Sequence, residues 1–292
     1  MQTIEELHPI SITIYFMAVM GIAMFSTNPI MMGLSMTGAI LYFLTRNGKG
    51  HFKMHLSFVI LFTVLALMNP LVSHNGITVL FVVNDNPITL EAFLYGLNSA
   101  TMIISILYWL RLFSMIMTSE KILCVFGAIS PKIALVLSMS LRFVPLFQNQ
   151  AKKVNDSQKA VGYFQSDNII DSIHQKMRVF DIVLTWALEN GIITANSMEA
   201  RGYSVGKRSH FSIHPIRKND IILMLITCIL SGVCISAMAW GKMTFLFYPE
   251  ITAPETDLFA VGGMIGYGIL VLLPSIIQKG TEKQWNYLQS KI

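Results

Sequence analysis

The chain has 292 residues and a net charge of +5, with 13% charged and 53% hydrophobic residues. Soluble globular proteins carry about 25% charged residues, so this composition, with a mean hydropathy of +0.58, excludes a fold exposed to water on all sides. We predict an all-α polytopic membrane protein in the cell membrane. The positive balance is typical of basic cytoplasmic loops, and we expect no nucleic acid as a partner.

Six apolar runs approach or reach the roughly 20 residues that a helix needs to cross a bilayer. In chain order they are Ser11–Phe25, Pro29–Leu44, Leu56–Val72, Leu90–Met117, Ile221–Trp240 and Leu258–Ile277. Lys and Arg are concentrated after the second, fourth and sixth runs, and the positive-inside rule assigns these segments to the cytoplasm. The sequence predicts about six spans with both termini cytoplasmic, and five to seven spans also satisfy the pattern. Arg111, near the end of the fourth run, is expected to extend its charge to the membrane surface.

A polar segment between the fourth and fifth runs divides the chain into three parts. Residues 1–119 hold the N-terminal spans, residues 120–219 form the polar segment, and residues 220–292 hold the last spans and the tail. The polar segment contains 13 Lys and Arg residues. Apolar residues at helical spacing predict a long amphipathic helix from Ile169 to Glu199. Earlier in the segment, Arg142 and Pro145 argue against a simple span over the apolar stretch Ile133–Phe147. We expect a cytoplasmic module of long helices.

A short motif occurs twice in this polar segment, forty residues apart. Ser157–Tyr163 reads SQKAVGY and Ser197–Tyr203 reads SMEARGY, with four of seven positions identical. The glycine indicates the end of a helix, because glycine readily adopts the left-handed conformation there. An arginine in the last turn interacts favourably with the negative end of the helix dipole. An ordinary helix cap is therefore one interpretation. The other is a docking tip, since a small alanine beside a rigid guanidinium suits insertion into a groove that contains carboxylates.

The paired motif, preceded by Leu141–Leu146 (LRFVPL), resembles the transmembrane T component of energy-coupling factor transporters, a family that includes the cobalt-transport permease type. The resemblance implies that two helix tips dock on two ABC-type ATPase subunits. A separate small membrane subunit is then expected to bind the substrate, a vitamin or a transition-metal ion. The T component would link the ATPases to that subunit and would not itself be an enzyme.

Carried over by position, the resemblance assigns the ATPase-docking residues to two sets. They are Ala200, Arg201 and Gly202 at one tip and Ala160, Val161 and Gly162 at the other, with supporting positions Arg142, Pro145, Gln158 and Glu199. Val161 stands where the family has an arginine, so the first contact is either weaker or matched to a divergent ATPase subunit.

Other chemistry is only weakly indicated. Gly202–Arg208 is one residue short of a phosphate loop and has no Ser or Thr after its lysine. His210 and His214 lack a metal-binding motif, and the three cysteines show no paired spacing. We expect no catalytic residue, metal or cofactor. Two alternatives remain: an ATPase-independent transporter with a regulatory cytoplasmic loop, and a membrane enzyme, which would need a nucleophile or an acid pair at membrane depth.

Overall fold

A computed structural model describes residues 4–47, 52–73, 76–83, 86–162, 169–203, 205–206, 215–248, 251 and 257–290. Within them lie a short 3-10 helix (Ile4–Glu6), nine α-helices and two strands. The helices are α1 (Pro9–Phe25), α2 (Pro29–Asn47), α3 (Phe52–Val72), α4 (Leu90–Ile116), α5 (Ser119–Ile129), α6 (Pro131–Ala160), α7 (Ile169–Ala200), α8 (Lys218–Ala239) and α9 (Leu258–Gln289). The strands are β1 (Val79–Val83) and β2 (Asn86–Thr89). The predicted all-α membrane fold is confirmed.

Each of the six apolar runs lies in one helix, and the fourth and fifth runs extend one residue beyond the helix end. Four of these helices, α3, α4, α8 and α9, are long and apolar enough to cross a membrane. Helix α1 is apolar but has 17 residues, and α2 has 19 residues with a polar last turn that includes Arg46. Spanning by α1 and α2, and with it the count of six, stays a prediction. Arg111 is exposed near the end of α4, and α9 continues well past the predicted end of the sixth run.

The chain folds into two compact units, Met1–Lys121 with His214–Ile292, and Ile122–Ile213. In the first unit, helices α1, α2, α4 and α9 surround a core of aromatic side chains that are almost completely buried. Trp109 lies edge-on to Tyr15 and Phe16, with ring centroids 6.4 and 5.8 Å away. Its indole N–H donates to Ser35 Oγ at 3.2 Å, and the Tyr15 hydroxyl donates to the Leu270 carbonyl at 2.9 Å. The buried polar atoms of these rings are therefore satisfied, as an apolar environment requires.

The starts of α1 and α8 are joined by one buried carboxylate. Asp220 is 1% exposed, and its two oxygens accept hydrogen bonds from the backbone N–H groups of His8 and Arg217, both at 2.7 Å. His8 caps α1, and Arg217 caps α8. Asp220 thus satisfies helix-end donors on two elements that are 212 residues apart in the chain.

A β-hairpin covers part of the segment between the third and fourth apolar runs. Strands β1 and β2 pair antiparallel, with Val79 opposite Thr89. Thr89 also caps α4 by accepting from the Ala92 N–H at 3.3 Å. The carboxylate of Glu91 accepts from the Thr78 N–H at 3.2 Å and from the Thr78 hydroxyl at 2.6 Å. These bonds tie the hairpin to the first turn of α4.

Gly96 lies at a close contact between α4 and α3. A Cβ at this position would lie 2.7 Å from the Ala66 carbonyl oxygen and 2.9 Å from Asn69 Cβ. Small residues permit such close packing of membrane helices. We predict that Gly96→Ala lowers the free energy of unfolding by about 1–3 kcal/mol, because the backbone of α3 must move away. Thermal unfolding of the purified protein in detergent measures this loss.

Gly232→Ala is the matched control for this prediction. Gly232 lies in the interior of α8, and a Cβ there meets no atom within 4 Å. Since alanine is also the better helix former, the control is expected to keep or slightly raise the unfolding temperature. Equal loss of stability in both variants would contradict the assignment of Gly96 to a close helix contact.

Candidate docking site

The second tip, residues 200–202, is a helix end of the Schellman type. The backbone N–H of Tyr203 donates to the Met198 carbonyl at 3.0 Å, and the N–H of Gly202 donates to the Glu199 carbonyl at 2.9 Å. These two bonds define the motif, which requires a left-handed residue after the helix. Gly202 supplies it with φ +78°. The helix end predicted from the sequence is confirmed, with Arg201 as the last residue before the glycine.

The first tip, residues 160–162, shares the glycine hydrogen bond and the left-handed glycine of the second tip. Helix α6 ends at Ala160, the Val161 N–H donates to the Ser157 carbonyl at 3.2 Å, and the Gly162 N–H donates to the Lys159 carbonyl at 3.0 Å. Gly162 has φ +84°, within a few degrees of its counterpart. Tyr163, the last residue of this copy of the motif, lies outside the described residues. The duplication in sequence therefore corresponds to a duplication in local structure.

Both tips present their central side chains to solvent. Val161 is 72% exposed. Ala200 and Arg201 are exposed as well, and Arg201 forms no side-chain hydrogen bond or ion pair with any described residue. Its guanidinium N–H groups are therefore available to an acidic partner.

The four supporting positions lie on the two long helices that carry the tips. Arg142 and Pro145 are exposed midway along α6, Gln158 is half-buried near its end, and Glu199 is exposed in the last turn of α7. Pro145 lies inside the helix. Because proline has no N–H, it removes one backbone hydrogen bond and favours a local bend. The predicted amphipathic helix over 169–199 is confirmed as α7.

An aromatic contact that the sequence analysis did not identify holds α6 against α7. Phe143 and Phe147 stack with centroids 5.5 Å apart and planes 5° from parallel. Phe147 meets Trp186 of α7 edge-on at 6.0 Å. The four-residue spacing of Phe143 and Phe147 was the available signal in the sequence, since residues four apart in a helix share a face. This contact joins α6 and α7, the two helices whose C-terminal ends form the tips.

Helix α7 also exposes a continuous apolar stripe. Residues at intervals of three and four, each 44–63% exposed, follow one side of the helix: Ile173, Met177, Phe180, Leu184, Leu188 and Ile192. An apolar surface of this length is typical of an interface.

The described residues hold no group of three or more His, Cys, Asp or Glu side chains that could bind a metal ion. Ser204, Lys207 and Arg208 of the phosphate-loop-like stretch lie outside the described residues, as do His210 and His214. The site consists of two exposed helix ends, and such an arrangement is suited to binding another protein.

Comparison with known proteins gives two kinds of match. The family model described as "Cobalt transport protein" matches residues 2–213. The energy-coupling factor transporter transmembrane protein EcfT of Listeria innocua is 35% identical over 118 residues, which are 39% of this chain and 44% of the relative. EcfT of Streptococcus thermophilus is 33% identical over 84 residues, 28% of this chain and 32% of the relative. EcfT 1 of Listeria monocytogenes is 28% identical over 102 residues, 34% of this chain and 38% of the relative. The chain spans less than half the length of these curated relatives.

Proposed function

The chain belongs to the cobalt transport protein family, and we propose that it is the transmembrane coupling subunit of an ATP-driven importer of the energy-coupling factor type. In this proposal the chain links two ABC-type ATPase subunits to a small membrane subunit that binds a vitamin or a transition-metal ion. The observation that carries the proposal is the pair of exposed helix tips with the same backbone geometry. The printed names of the relatives support the same assignment.

Two tips of one shape fit a partner that has two similar halves. Each tip ends a long helix, of 30 and 32 residues, and the Phe147–Trp186 contact joins these helices. A movement of the ATPases against the tips can therefore pass along rigid helices rather than be lost in a flexible loop. ATP is hydrolysed by the partners, and the chain itself is not catalytic.

The chain is proposed to lie in the plasma membrane with both termini in the cytoplasm. The distribution of Lys and Arg supports this orientation, and it puts α6 and α7 on the side where ATP is available. The supporting positions Arg142, Pro145, Gln158 and Glu199 are proposed to shape the tip-bearing helices. The apolar stripe on α7 is proposed to face the substrate-binding subunit, because a surface of this kind suits a membrane-embedded partner better than a soluble ATPase.

Gly202→Val tests whether the tip geometry matters for docking. Valine at a φ of +78° is strained by about 1–2 kcal/mol, so the end of α7 must change its backbone before it can dock. We predict that binding of the ATPases to the purified full-length chain weakens by about tenfold. Titration of labelled ATPase against the detergent-solubilised chain measures the change.

Gly191→Val supplies the control, since Gly191 lies within the same helix and a Cβ there meets no atom within 4 Å. This variant is expected to bind the ATPases with the affinity of the unaltered chain. If Gly202→Val binds equally well, the positive-φ helix end is not part of the docking surface.

A further inference from the structure

The β-hairpin exposes apolar side chains on both of its faces. Strand β1 has the sequence VLFVV, and the side chains from Val79 to Val82 are each 47–70% exposed. Phe81 and Val82 occupy consecutive positions of the regular part of the ladder, so their side chains point to opposite faces. An antiparallel sheet that stands in water commonly has one polar face. Neither face of β1 is polar.

Short connections hold the hairpin beside the ends of two apolar helices. Residues 73–78 alone separate the end of α3 from β1, and β2 runs directly into α4. The Glu91 carboxylate accepts two hydrogen bonds from Thr78, and β2 also contacts α3. Helix α3 has 21 residues, so it is about 32 Å long and matches a hydrocarbon core of about 30 Å. When α3 crosses the bilayer, the hairpin therefore lies at the bilayer surface.

Neither bulk water nor hydrocarbon suits this hairpin. In water, a run of exposed apolar side chains is typical of an interaction site, and a two-stranded hairpin by itself is only marginally stable. In hydrocarbon, the open edges of a two-stranded sheet would leave backbone N–H and C=O groups without hydrogen-bond partners. The interfacial layer of lipid headgroups and first acyl carbons offers both hydrogen-bond partners for the edges and apolar contact for the side chains.

The exposed apolar surface of α3 continues into the hairpin. Leu71 and Val72 in the last turn of α3 are 62% and 73% exposed, and Ile77, just before β1, is 59% exposed. The sequence from 73 to 89 contains no Lys or Arg, and Asp85 is its one acidic residue. A surface that is apolar, nearly uncharged and continuous with a membrane helix fits lipid better than a soluble protein.

We propose that hairpin β1–β2 inserts into the interfacial layer of the bilayer, where Phe81 and Val82 contact lipid from its two faces. The hairpin then anchors the adjoining ends of α3 and α4 at a fixed depth. In the proposed orientation of the chain, this is the outer leaflet. The inference concerns a lipid surface and does not depend on the docking tips.

Depth-dependent fluorescence quenching of the full-length chain tests the location. An environment-sensitive fluorescent amino acid replaces Phe81 or Val82. The chain, with any subunits that co-purify, is placed in nanodiscs of phosphatidylethanolamine and phosphatidylglycerol. The quenchers are lipids brominated near the headgroup, lipids brominated near the end of the acyl chain, and iodide in water. At both positions, the shallow bromines are expected to quench most strongly and iodide only weakly.

The same probe at Val64 and at Lys283 calibrates the scale. Val64 lies midway along α3 and is 51% exposed, so the deep bromines are expected to quench it most. Lys283 is exposed near the polar end of α9, where iodide is expected to be the strongest quencher. Iodide quenching at Phe81 or Val82 equal to that at Lys283 would overturn the inference. Strongest quenching by the deep bromines would overturn it as well, and so would shielding from all three quenchers, which would indicate a protein partner.

A charged hairpin supplies the second arm. Phe81→Asp with Val82→Asp puts a carboxylate on each face and leaves the hydrogen bonds at the base of the hairpin in place. A probe at Leu80 is then expected to reach the iodide quenching of Lys283, because charged side chains disfavour insertion. The matched control, Phe81→Leu with Val82→Leu, is expected to keep that probe in lipid. If the two aspartates leave the quenching of Leu80 by lipid unchanged, the apolar side chains do not hold the hairpin in the bilayer, and the inference is overturned.

Discussion

The Arg201→Glu variant is expected to lose the ATPase bound at the second tip, with an affinity loss of about thirtyfold or more. Removal of an arginine anchor at an interface commonly costs about 2 kcal/mol or more, and the glutamate adds repulsion against the acidic group that receives the guanidinium. Because Arg201 has no partner among the described residues, the change leaves no unpaired charge inside the chain. Quantitative co-purification of ATPase with the tagged full-length chain measures the loss.

Two further variants define the cause of that loss. Lys176→Glu makes the same change of charge at an exposed position in α7 and is expected to keep the ATPases. Arg201→Lys keeps the charge but not the planar fork, so an intermediate loss is expected if the contact is bidentate. Full ATPase binding and uptake by Arg201→Glu would mean that the two motifs are ordinary helix caps.

Asp220→Ala is expected to give the largest loss of stability in the first unit. It removes the acceptor of two backbone N–H groups, and one of them belongs to the buried His8. Hydrogen bonds to a charged acceptor contribute about 1.5–3 kcal/mol, and a buried donor left without a partner adds a penalty. We predict a loss of about 2–3 kcal/mol in the free energy of unfolding, with separation of the α1 and α8 starts. Thermal unfolding in detergent measures it.

Asn219→Ala is the neighbouring control, since Asn219 is exposed in the first turn of the same helix and forms no side-chain hydrogen bond or ion pair with a described residue. Its unfolding temperature is expected to stay close to that of the unaltered chain. Asp220→Asn keeps one oxygen acceptor and is expected to fall between the two. A stable Asp220→Ala variant would show that the carboxylate does not hold the two helix starts together.

Local chemistry made a large part of the fold predictable. The apolar runs identified six helices, four of which are long and apolar enough to cross a membrane, because hydropathy reports the solvent that a segment prefers. Gly202 identified the end of α7, since a left-handed residue is needed there and glycine is the residue that adopts it freely. The family resemblance inferred from the paired motif is confirmed by the family model that matches residues 2–213.

Long-range partners were beyond the reach of the sequence. Hydropathy does not say which face of a span meets another helix, so the close approach at Gly96 and the Trp109–Ser35 hydrogen bond were not predicted. The link between Asp220 and His8 joins residues 212 positions apart, and nothing local in either segment indicates it. The Phe147–Trp186 contact was missed for the same reason, because it depends on how α6 and α7 pack.

Native mass spectrometry of the tagged full-length chain, purified gently from its own membrane, tests the central claim most directly. The proposed coupling role predicts a complex that contains the chain, two ABC-type ATPase polypeptides and a small membrane protein. Added ATP is expected to be hydrolysed by that complex and not by the chain alone. A chain that is isolated without any ATPase, and that still transports its substrate after reconstitution into vesicles, would contradict the claim.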